Sequence, residues 1–178
     1  MNQPSDENLV IDSRNGDMAA FKELVDRHES KIAGVIKSML GDTTEAIDVG
    51  QEVFIRFYEA LDKFKGDSTV GTYLVRIAIN LSLNEIKRRK RRNFFFMPIE
   101  DGHWVKTPDE DADMKDIVHY EISQLDTDFQ SVVSLRMIEG YSTEETAELL
   151  GIPLGTVLSR LSRAQKKLKL VLAKHYTT

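Results

Sequence analysis

The chain has 178 residues, of which 41% are hydrophobic and 30% are charged, enough to bury the core of one medium domain or two small ones. It contains no cysteine, which excludes a disulfide scaffold, a thiolate zinc site and a cysteine nucleophile. No apolar run approaches the roughly 20 residues of a membrane helix, and the polar, acidic N-terminus is unlike a signal peptide. We therefore expect a cytoplasmic protein without membrane insertion.

The formal net charge of −5 hides an uneven distribution of charge along the chain. Six basic residues run without interruption from Lys87 to Arg92, and six more lie between Arg160 and Lys174. The intervening stretch from Glu100 to Asp128 holds ten acidic residues. This segregation indicates two basic surfaces separated by an acidic connector.

Apolar residues recur at helical spacing almost throughout, and no two-residue alternation indicates a sheet. We expect an all-α protein with two small helical domains, over 6–92 and 116–174, joined by an acidic linker over 93–115. In the first domain the pattern predicts helices over 6–40 with a break near 14–17, over 45–64 and over 70–92. The linker contains Phe94-Phe95-Phe96 and Trp104, which suggests that part of it docks on another surface.

The predicted helix over 45–64 has one apolar core face and a second face on which acidic and polar residues frame an isoleucine. This second face, called here the docking face, comprises Asp48, Gln51, Glu52, Ile55 and Glu59. Such a surface suits docking on a partner with a basic rim. On composition alone, a solvated outer face with one stray isoleucine is the simpler interpretation.

The helix that ends in the basic run carries a stripe of residues spaced three and four apart. This basic stripe comprises Tyr73, Arg76, Asn80, Asn84, Lys87 and Arg91. An aromatic ring can stack on a base, amides can bond to base edges and cations can hold phosphate, so the stripe suits single-stranded nucleic acid. A solvated face with a basic helix end, favoured by the macrodipole, explains the stripe equally well.

The sequence near the C-terminus predicts a helix-turn-helix. Ser142-Thr143-Glu144-Glu145 has the form of a capping box that opens a short helix, and Gly151-Ile152-Pro153 ends it. A longer helix begins at about Leu154; opposite its core face lies a reading face of Ser159, Ser162, Arg163 and Lys166. Because cap, turn and basic face coincide, we favour DNA binding over an ordinary helical hairpin with a solvated charged face.

Enzyme signatures are absent from the sequence. The segment Gly66-Asp67-Ser68-Thr69-Val70-Gly71 has the two glycines of a P-loop, but Thr72-Tyr73 follows where Lys-Ser/Thr is required. The four histidines lack metal-binding spacing, and no nucleophile and base converge. We therefore expect no catalytic residue, no metal, no cofactor and no small-molecule substrate.

Four segments taken in chain order resemble a bacterial sigma factor of the extracytoplasmic-function (ECF) group, in the sigma-70 family. The segment 15–21 (NGDMAAF) resembles the start of region 2, and 48–55 (DVGQEVFI) resembles the segment that binds the polymerase clamp helices. The segment 72–80 (TYLVRIAIN) resembles the one that recognises and melts the −10 element. The segment 151–164 (GIPLGTVLSRLSRA) resembles the helix of region 4 that reads the −35 element.

The resemblance implies a non-enzymatic initiation factor that binds the clamp helices and flap of core RNA polymerase and directs it to promoter DNA. It implies that the docking face contacts polymerase and that Asn80 lies near a pocket for a flipped −10 base. A further implied partner is an anti-sigma factor. Two other interpretations are a stand-alone helix-turn-helix repressor or activator, and a nucleic-acid-processing enzyme with an unrecognised site.

The resemblance also implies contact residues beyond the stripe and the reading face. Arg88 joins the basic stripe at the −10 element, and the −35 set is Thr156, Leu158, Ser159, Arg160, Ser162, Arg163, Lys166 and Lys167. For Arg160 we expect a phosphate contact or an ion pair with Glu144 or Glu145.

Two residues depart from the family pattern. Gly50 replaces a branched aliphatic residue, which costs ~1 kcal/mol of helix propensity. Leu158 stands where many relatives carry a basic or polar side chain that reads a base.

Overall fold

The structure, a computed structural model, describes residues 3–95 and 113–175, and every regular element in these ranges is helical. The N-terminal module consists of α1 (Asp6–Arg14), α2 (Met18–Leu40), α3 (Thr44–Ala60), a 3-10 turn (Leu61–Lys63) and α4 (Val70–Phe95). The C-terminal module consists of α5 (Met114–Gln124), α6 (Thr127–Val133), a π-helical turn (Ser134–Ile138), α7 (Thr143–Leu150) and α8 (Leu154–His175). The expected all-α fold is confirmed.

The sequence explains locally where several helices begin and end. The side chains of Ser5, Asp17 and Thr43 accept hydrogen bonds from first-turn backbone N–H groups of α1, α2 and α3. The predicted capping box of α7 is complete: Ser142 Oγ accepts from the Glu145 N–H at 3.0 Å, and the Glu145 carboxylate accepts from the Ser142 N–H at 2.7 Å. Gly151 ends α7 with a left-handed φ of 63°.

The core of the N-terminal module lies between α1, α2, α3 and α4. Its largest fully buried side chains include Leu24, Ile36, Phe57, Leu74 and Ile79. The Phe57 ring contacts the rings of Phe64 and Tyr73, each with centroids 6.0 Å away. Aromatic packing therefore fixes the start of α4 on the end of α3.

One member of the basic run is buried beside this core, which corrects the expectation that the run Lys87–Arg92 forms a basic surface. Arg89 is 8% exposed. Its guanidinium donates to the Leu40 carbonyl at 3.1 Å and to Thr43 Oγ1 at 2.9 Å. It also pairs with the carboxylates of Glu85 at 3.1 Å and Glu45 at 3.5 Å. Arg89 thus ties α4 to the turn between α2 and α3.

The C-terminal module has a smaller core between α5, α6 and α8, formed by Ile122, Leu125, Val133, Ala164 and Leu168. Helical spacing predicts that the core face of α8 consists of Val157, Leu161, Ala164, Leu168 and Val171. Val157, Ala164 and Leu168 are buried, whereas Leu161 and Val171 are half-buried at the edges of this face.

The two modules pack against each other, an arrangement that the sequence did not predict. Leu135 of the π-helical turn is fully buried in the core of the N-terminal module. Ser134 Oγ donates a 2.7 Å hydrogen bond to the Ser38 carbonyl, and Gln130 Nε2 donates a 2.7 Å bond to the Met39 carbonyl. Because the last carbonyls of a helix lack intrahelical partners, these bonds cap the C-terminus of α2.

Most of the predicted linker over 93–115 lies outside the described residues. The same holds for the side chains of Phe94, Phe95, Phe96 and Trp104, so their docking stays a prediction. Among the helices of the described ranges, none is long and apolar enough to span a membrane.

Candidate nucleic-acid and partner interfaces

The five residues of the docking face lie on one side of α3. Asp48, Gln51, Ile55 and Glu59 are exposed, and 53% of the Ile55 surface is accessible. Glu52 is half-buried, and its carboxylate lies 2.7 Å from Nε of Arg56, one helical turn later. The face therefore presents one apolar side chain among acidic and amide groups, as predicted from the helical spacing.

A groove between α2 and α3 runs beside the docking face, and sequence reasoning missed it. Its lining includes Ile36, Ile47, Gly50, Phe54 and Ile55. A Cβ atom at Gly50 would lie 3.9 Å from Ile36 Cδ1, so the glycine leaves space in the groove wall. The available signal was Ile47, which lies one helical turn before Gln51 at the edge of the docking face and is 62% exposed.

Most of the basic stripe is exposed along α4. Asn80, Asn84, Lys87 and Arg91 are all exposed. Arg88 is exposed as well, but it makes two hydrogen bonds to Glu85, at 2.7 and 3.0 Å. Burial opposes ionisation of Glu85, yet the hydrogen bonds from Arg88 and Arg89 outweigh it and lower the pKa of this carboxyl. The last two turns of the stripe are thus a mixed surface of free and paired cations.

The two N-terminal members of the stripe contact other residues of the chain. The half-buried Tyr73 ring packs on Phe64, with ring centroids 5.1 Å apart, and on Phe57. Arg76 Nη2 lies 2.7 Å from a carboxylate oxygen of Glu148 in α7. Tyr73 therefore contributes to the core as well as to the stripe, and Arg76 has an ion-pair partner in the C-terminal module.

In α8 the reading face is fully presented to the outside. Ser159, Ser162, Arg163 and Lys166 are exposed, as is Leu158 with 52% of its surface accessible. Thr156 is half-buried. Within the described ranges, neither Arg163 nor Lys166 has an ion-pair partner. These two cations are therefore available to an external acceptor.

The other two cations of the −35 set are paired with the start of α6. Arg160 lies 2.6 Å from Asp128, so it pairs with this residue and not with Glu144 or Glu145. Lys167 lies 2.9 Å from Asp126, with its Nζ 4.8 Å from the Phe129 ring centroid. The Lys167 hydrogen bond holds the pKa of Asp126 below its usual value. Beside these ion pairs, an open cleft lies between the start of α6 (126–129) and the first turns of α8 (156–163). Sequence reasoning missed this cleft as well.

Within the described ranges, no three or more histidine or acidic side chains lie together so that they could hold a metal ion. The arrangement instead presents three polar surfaces, on α3, α4 and α8, of the kinds that contact macromolecules.

Comparison with known proteins identified two family matches. The family model of sigma-70 region 2 matches residues 24–92, which include the docking face and the basic stripe. The family model of sigma-70 region 4 matches residues 115–168, which include the reading face.

Curated relatives match almost the whole chain. The chain is 38% identical to the RNA polymerase sigma-H factor of Pseudomonas aeruginosa, with 93% of each chain covered. It is 34% identical to the ECF RNA polymerase sigma-E factor of Escherichia coli K12, with 92% of each covered. For the ECF RNA polymerase sigma-E factor of Haemophilus influenzae the identity is 32%, over 94% of this chain and 95% of the relative.

Two solved structures are similar over most of the chain. CnrH, solved in complex with the cytosolic domain of CnrY, has a TM-score of 0.67 and 28% identity, with 95% of this chain and 97% of that chain covered. The sigma factor RpoE of Bartonella quintana, solved with the anti-sigma factor NepR, has a TM-score of 0.65. Its 22% identity, over 86% of this chain and 96% of that chain, supports likeness of fold.

Proposed function

The chain belongs to the ECF group of the sigma-70 family, and we propose that three of its helices, α3, α4 and α8, perform the separate steps of promoter-specific initiation. As an RNA polymerase sigma factor it binds core polymerase and directs transcription initiation from promoter DNA. Residues 6–92 act as region 2 and residues 116–174 act as region 4, with 93–115 as the connection between them.

In this proposal the docking face of α3 binds the clamp helices of core polymerase. The supporting observation is that Asp48 and Ile55 are exposed on one face within the matched region 2, beside an apolar groove. An exposed isoleucine surrounded by acidic groups can bury apolar area while its rim complements basic side chains of a partner.

The two DNA elements are read by different helices. The basic stripe of α4, together with Arg88, contacts the −10 element, where the exposed amide of Asn80 can bond to an unpaired base edge. The reading face of α8 enters the major groove at the −35 element, where Arg163 can donate two hydrogen bonds to guanine. Thr156, Arg160 and Lys167 lie at the edges of that surface and serve phosphate contact.

An anti-sigma factor restrains the chain, supported by the structures of relatives solved with NepR and with the cytosolic domain of CnrY. Family members are non-catalytic initiation factors, and the finer proposal is that this chain has no active site of its own. It works in the cytoplasm, together with core polymerase.

Reconstitution with core polymerase tests the proposed function. The purified chain is passed over gel filtration with core polymerase and then assayed for initiation on a library of randomised promoter fragments, with core polymerase alone as the control. We expect one co-eluting complex and transcripts from promoters that share two separated elements. A dimer that binds an operator equally well without polymerase would instead support a stand-alone regulator. Turnover of nucleic acid by the chain alone would support an enzyme.

A further inference from the structure

Two acidic residues at the start of α6 face two cations of α8. A carboxylate oxygen of Asp128 lies 2.6 Å from Nη2 of Arg160, and one of Asp126 lies 2.9 Å from Nζ of Lys167. The two acids are two residues apart in the chain, and the two cations are about two helical turns apart on α8. Each acid therefore lies beside a cation to which the proposed function gives a DNA contact.

The two ion pairs differ in how far the protein covers them. The side chain of Arg160 is 25% exposed, whereas that of Lys167 is 54% exposed and that of its partner Asp126 is 71% exposed. A pair of two exposed, flexible side chains is weakly held, because solvent and salt compete for both partners. The Asp128 contact therefore fixes its arginine more firmly than the Asp126 contact fixes its lysine.

The two cations also differ in what an ion pair leaves free. The lysine ammonium is a compact point charge, so a carboxylate on Lys167 competes directly with a phosphate. The arginine guanidinium is a planar fork with five N–H donors. Among the residues that the structure describes, the contact with Asp128 is the one hydrogen bond of the Arg160 guanidinium. Asp128 therefore orients this group and leaves further N–H donors available.

Arg160 is held beside the surface that reads the −35 element. Asp128 and Arg160 line the open cleft between α6 and α8, together with Ser159 and Arg163 of the reading face. A DNA strand whose bases are contacted by the reading face carries its phosphates past this cleft. A side chain that is already immobilised loses less conformational entropy when it binds, so a held Arg160 binds a phosphate more tightly than a mobile one.

We propose that Asp128 is a positioning residue for −35 recognition: it holds the Arg160 guanidinium so that the remaining N–H groups face a phosphate. The inference rests on the proposed function, because it takes α8 as the −35 reader. The charge of Asp128 by itself repels DNA, but its side chain is 63% exposed, so solvent and salt weaken this repulsion. Positioning therefore outweighs repulsion at Asp128, whereas at Asp126 the repulsion and the competition for Lys167 prevail.

Asp128→Asn tests the proposal in the holoenzyme, because charge and positioning predict opposite signs. Anisotropy of a labelled promoter fragment, taken from the initiation library, gives the affinity at a series of KCl concentrations. We expect a roughly threefold to tenfold loss of affinity, as for one side chain that must be immobilised on binding. The salt slope should fall by up to about one unit, as for a lost phosphate contact. Loss of a repelling charge alone would instead tighten binding.

Asp126→Asn is the matched control, since it removes the same charge two residues away. We expect a gain in affinity of up to about threefold, because Lys167 is released from its partner. Burial lowers the pKa of Lys90 in α4, and both carboxylates oppose this shift, so an effect through Lys90 is shared by the two variants. Thermal unfolding of each chain establishes that the variants are folded at the temperature of the binding assay.

A double-mutant cycle shows whether Asp128 acts through Arg160. Arg160→Ala should weaken binding, and adding Asp128→Asn to it should cause no further loss. A merely structural role of Asp128 would leave the salt slope unchanged and would add its own loss to that of Arg160→Ala.

The proposal is overturned if Asp128→Asn binds as tightly as the wild type or more tightly, or if the two losses in the cycle are independent. Changes of the same sign in both aspartate variants would likewise show that the two acids act by charge alone. Failure of the proposed function is seen separately, as a wild-type holoenzyme whose binding does not depend on the −35 sequence.

Discussion

The guanidinium of Arg89 in α4 donates a 3.1 Å hydrogen bond to the carbonyl of Leu40, the last residue of α2. The two preceding carbonyls of α2, those of Met39 and Ser38, accept hydrogen bonds from Gln130 and Ser134. Side chains from both modules thus satisfy three consecutive carbonyls at one helix end, where the α-helix itself supplies no donors.

The first prediction is that Arg89 stabilises the fold although it lies in a basic run. Arg89→Ala removes a buried cation from Glu85, Glu45 and the Leu40 carbonyl, so we expect the free energy of unfolding to fall by about 3 kcal/mol. Lys87→Ala, at an exposed position in the same run, should change it by less than about 0.5 kcal/mol. Urea unfolding measures both, and equal losses would contradict the structural role of Arg89.

The second prediction concerns the helix propensity of α3. Gly50→Ala should raise the free energy of unfolding by up to about 1 kcal/mol, because alanine favours the helix and its Cβ would make ordinary contact with Ile36. Gly66→Ala is the control: Gly66 also has open space, but its φ of 79° strains an alanine, so this variant should be destabilised. Thermal unfolding of both variants measures the difference. A destabilised Gly50→Ala would mean that the alanine Cβ does not fit against Ile36 in the wall of the groove.

The third prediction concerns polymerase docking. Asp48→Arg with Ile55→Lys should abolish co-elution with core polymerase and leave the melting temperature unchanged, because both side chains are exposed on one face. The matched control is Glu7→Arg with Ile11→Lys in α1, where Ile11 is 51% exposed. Wild-type core binding by the folded docking-face variant would show that polymerase binds elsewhere.

The fourth prediction separates base recognition from stacking at the −10 element. Asn80→Ala should relax preference at one position of that element, since an exposed amide can bond to a base edge. Tyr73→Ala should weaken opening on every promoter. It should also lower thermal stability, because the ring packs on Phe57 and Phe64, so promoter opening must be measured well below its melting temperature. Equal losses for Asn80→Ala on all −10 variants would remove Asn80 from base readout.

The fifth prediction concerns −35 recognition by α8. Arg163→Ala should relax sequence preference, whereas Lys166→Ala should weaken binding to all sequences and lower the salt slope by about one unit. Lys167→Ala should lower that slope by less, because Lys167 is already paired with Asp126. Leu158→Arg should change the preferred −35 sequence, since an apolar side chain can only contact a thymine methyl while arginine can pair with guanine.

The preferred −35 sequence is measured by selecting active promoters from a library of −35 variants, with core polymerase carrying each variant chain in turn. An unchanged sequence preference in both Arg163→Ala and Leu158→Arg would refute the assignment of α8 as the reader.

Much of the fold follows from local sequence. The capping box at Ser142 and Glu145 acts within one helical turn, and the buried positions of α8 recur at the spacing of that helix. The docking face was predictable for the same reason, because residues three and four apart on a helix share a side wherever that helix lies. The burial of Arg89 was predictable in the same way. Arg89 lies three residues after the buried Ile86 and therefore on the buried side of α4.

Other features depend on residues that are far apart in the chain, and only the tertiary structure decided them. For the helices within the described ranges, the amino-acid sequence by itself determined the faces and their chemistry, including which cations lie on α4 and α8. It did not determine that Arg160 pairs with Asp128, that Arg76 pairs with Glu148, or that the two modules pack together. Helical spacing fixes the direction of a side chain relative to its own helix. The partner of that side chain is fixed by the packing of whole helices, through many weak contacts that no short segment contains.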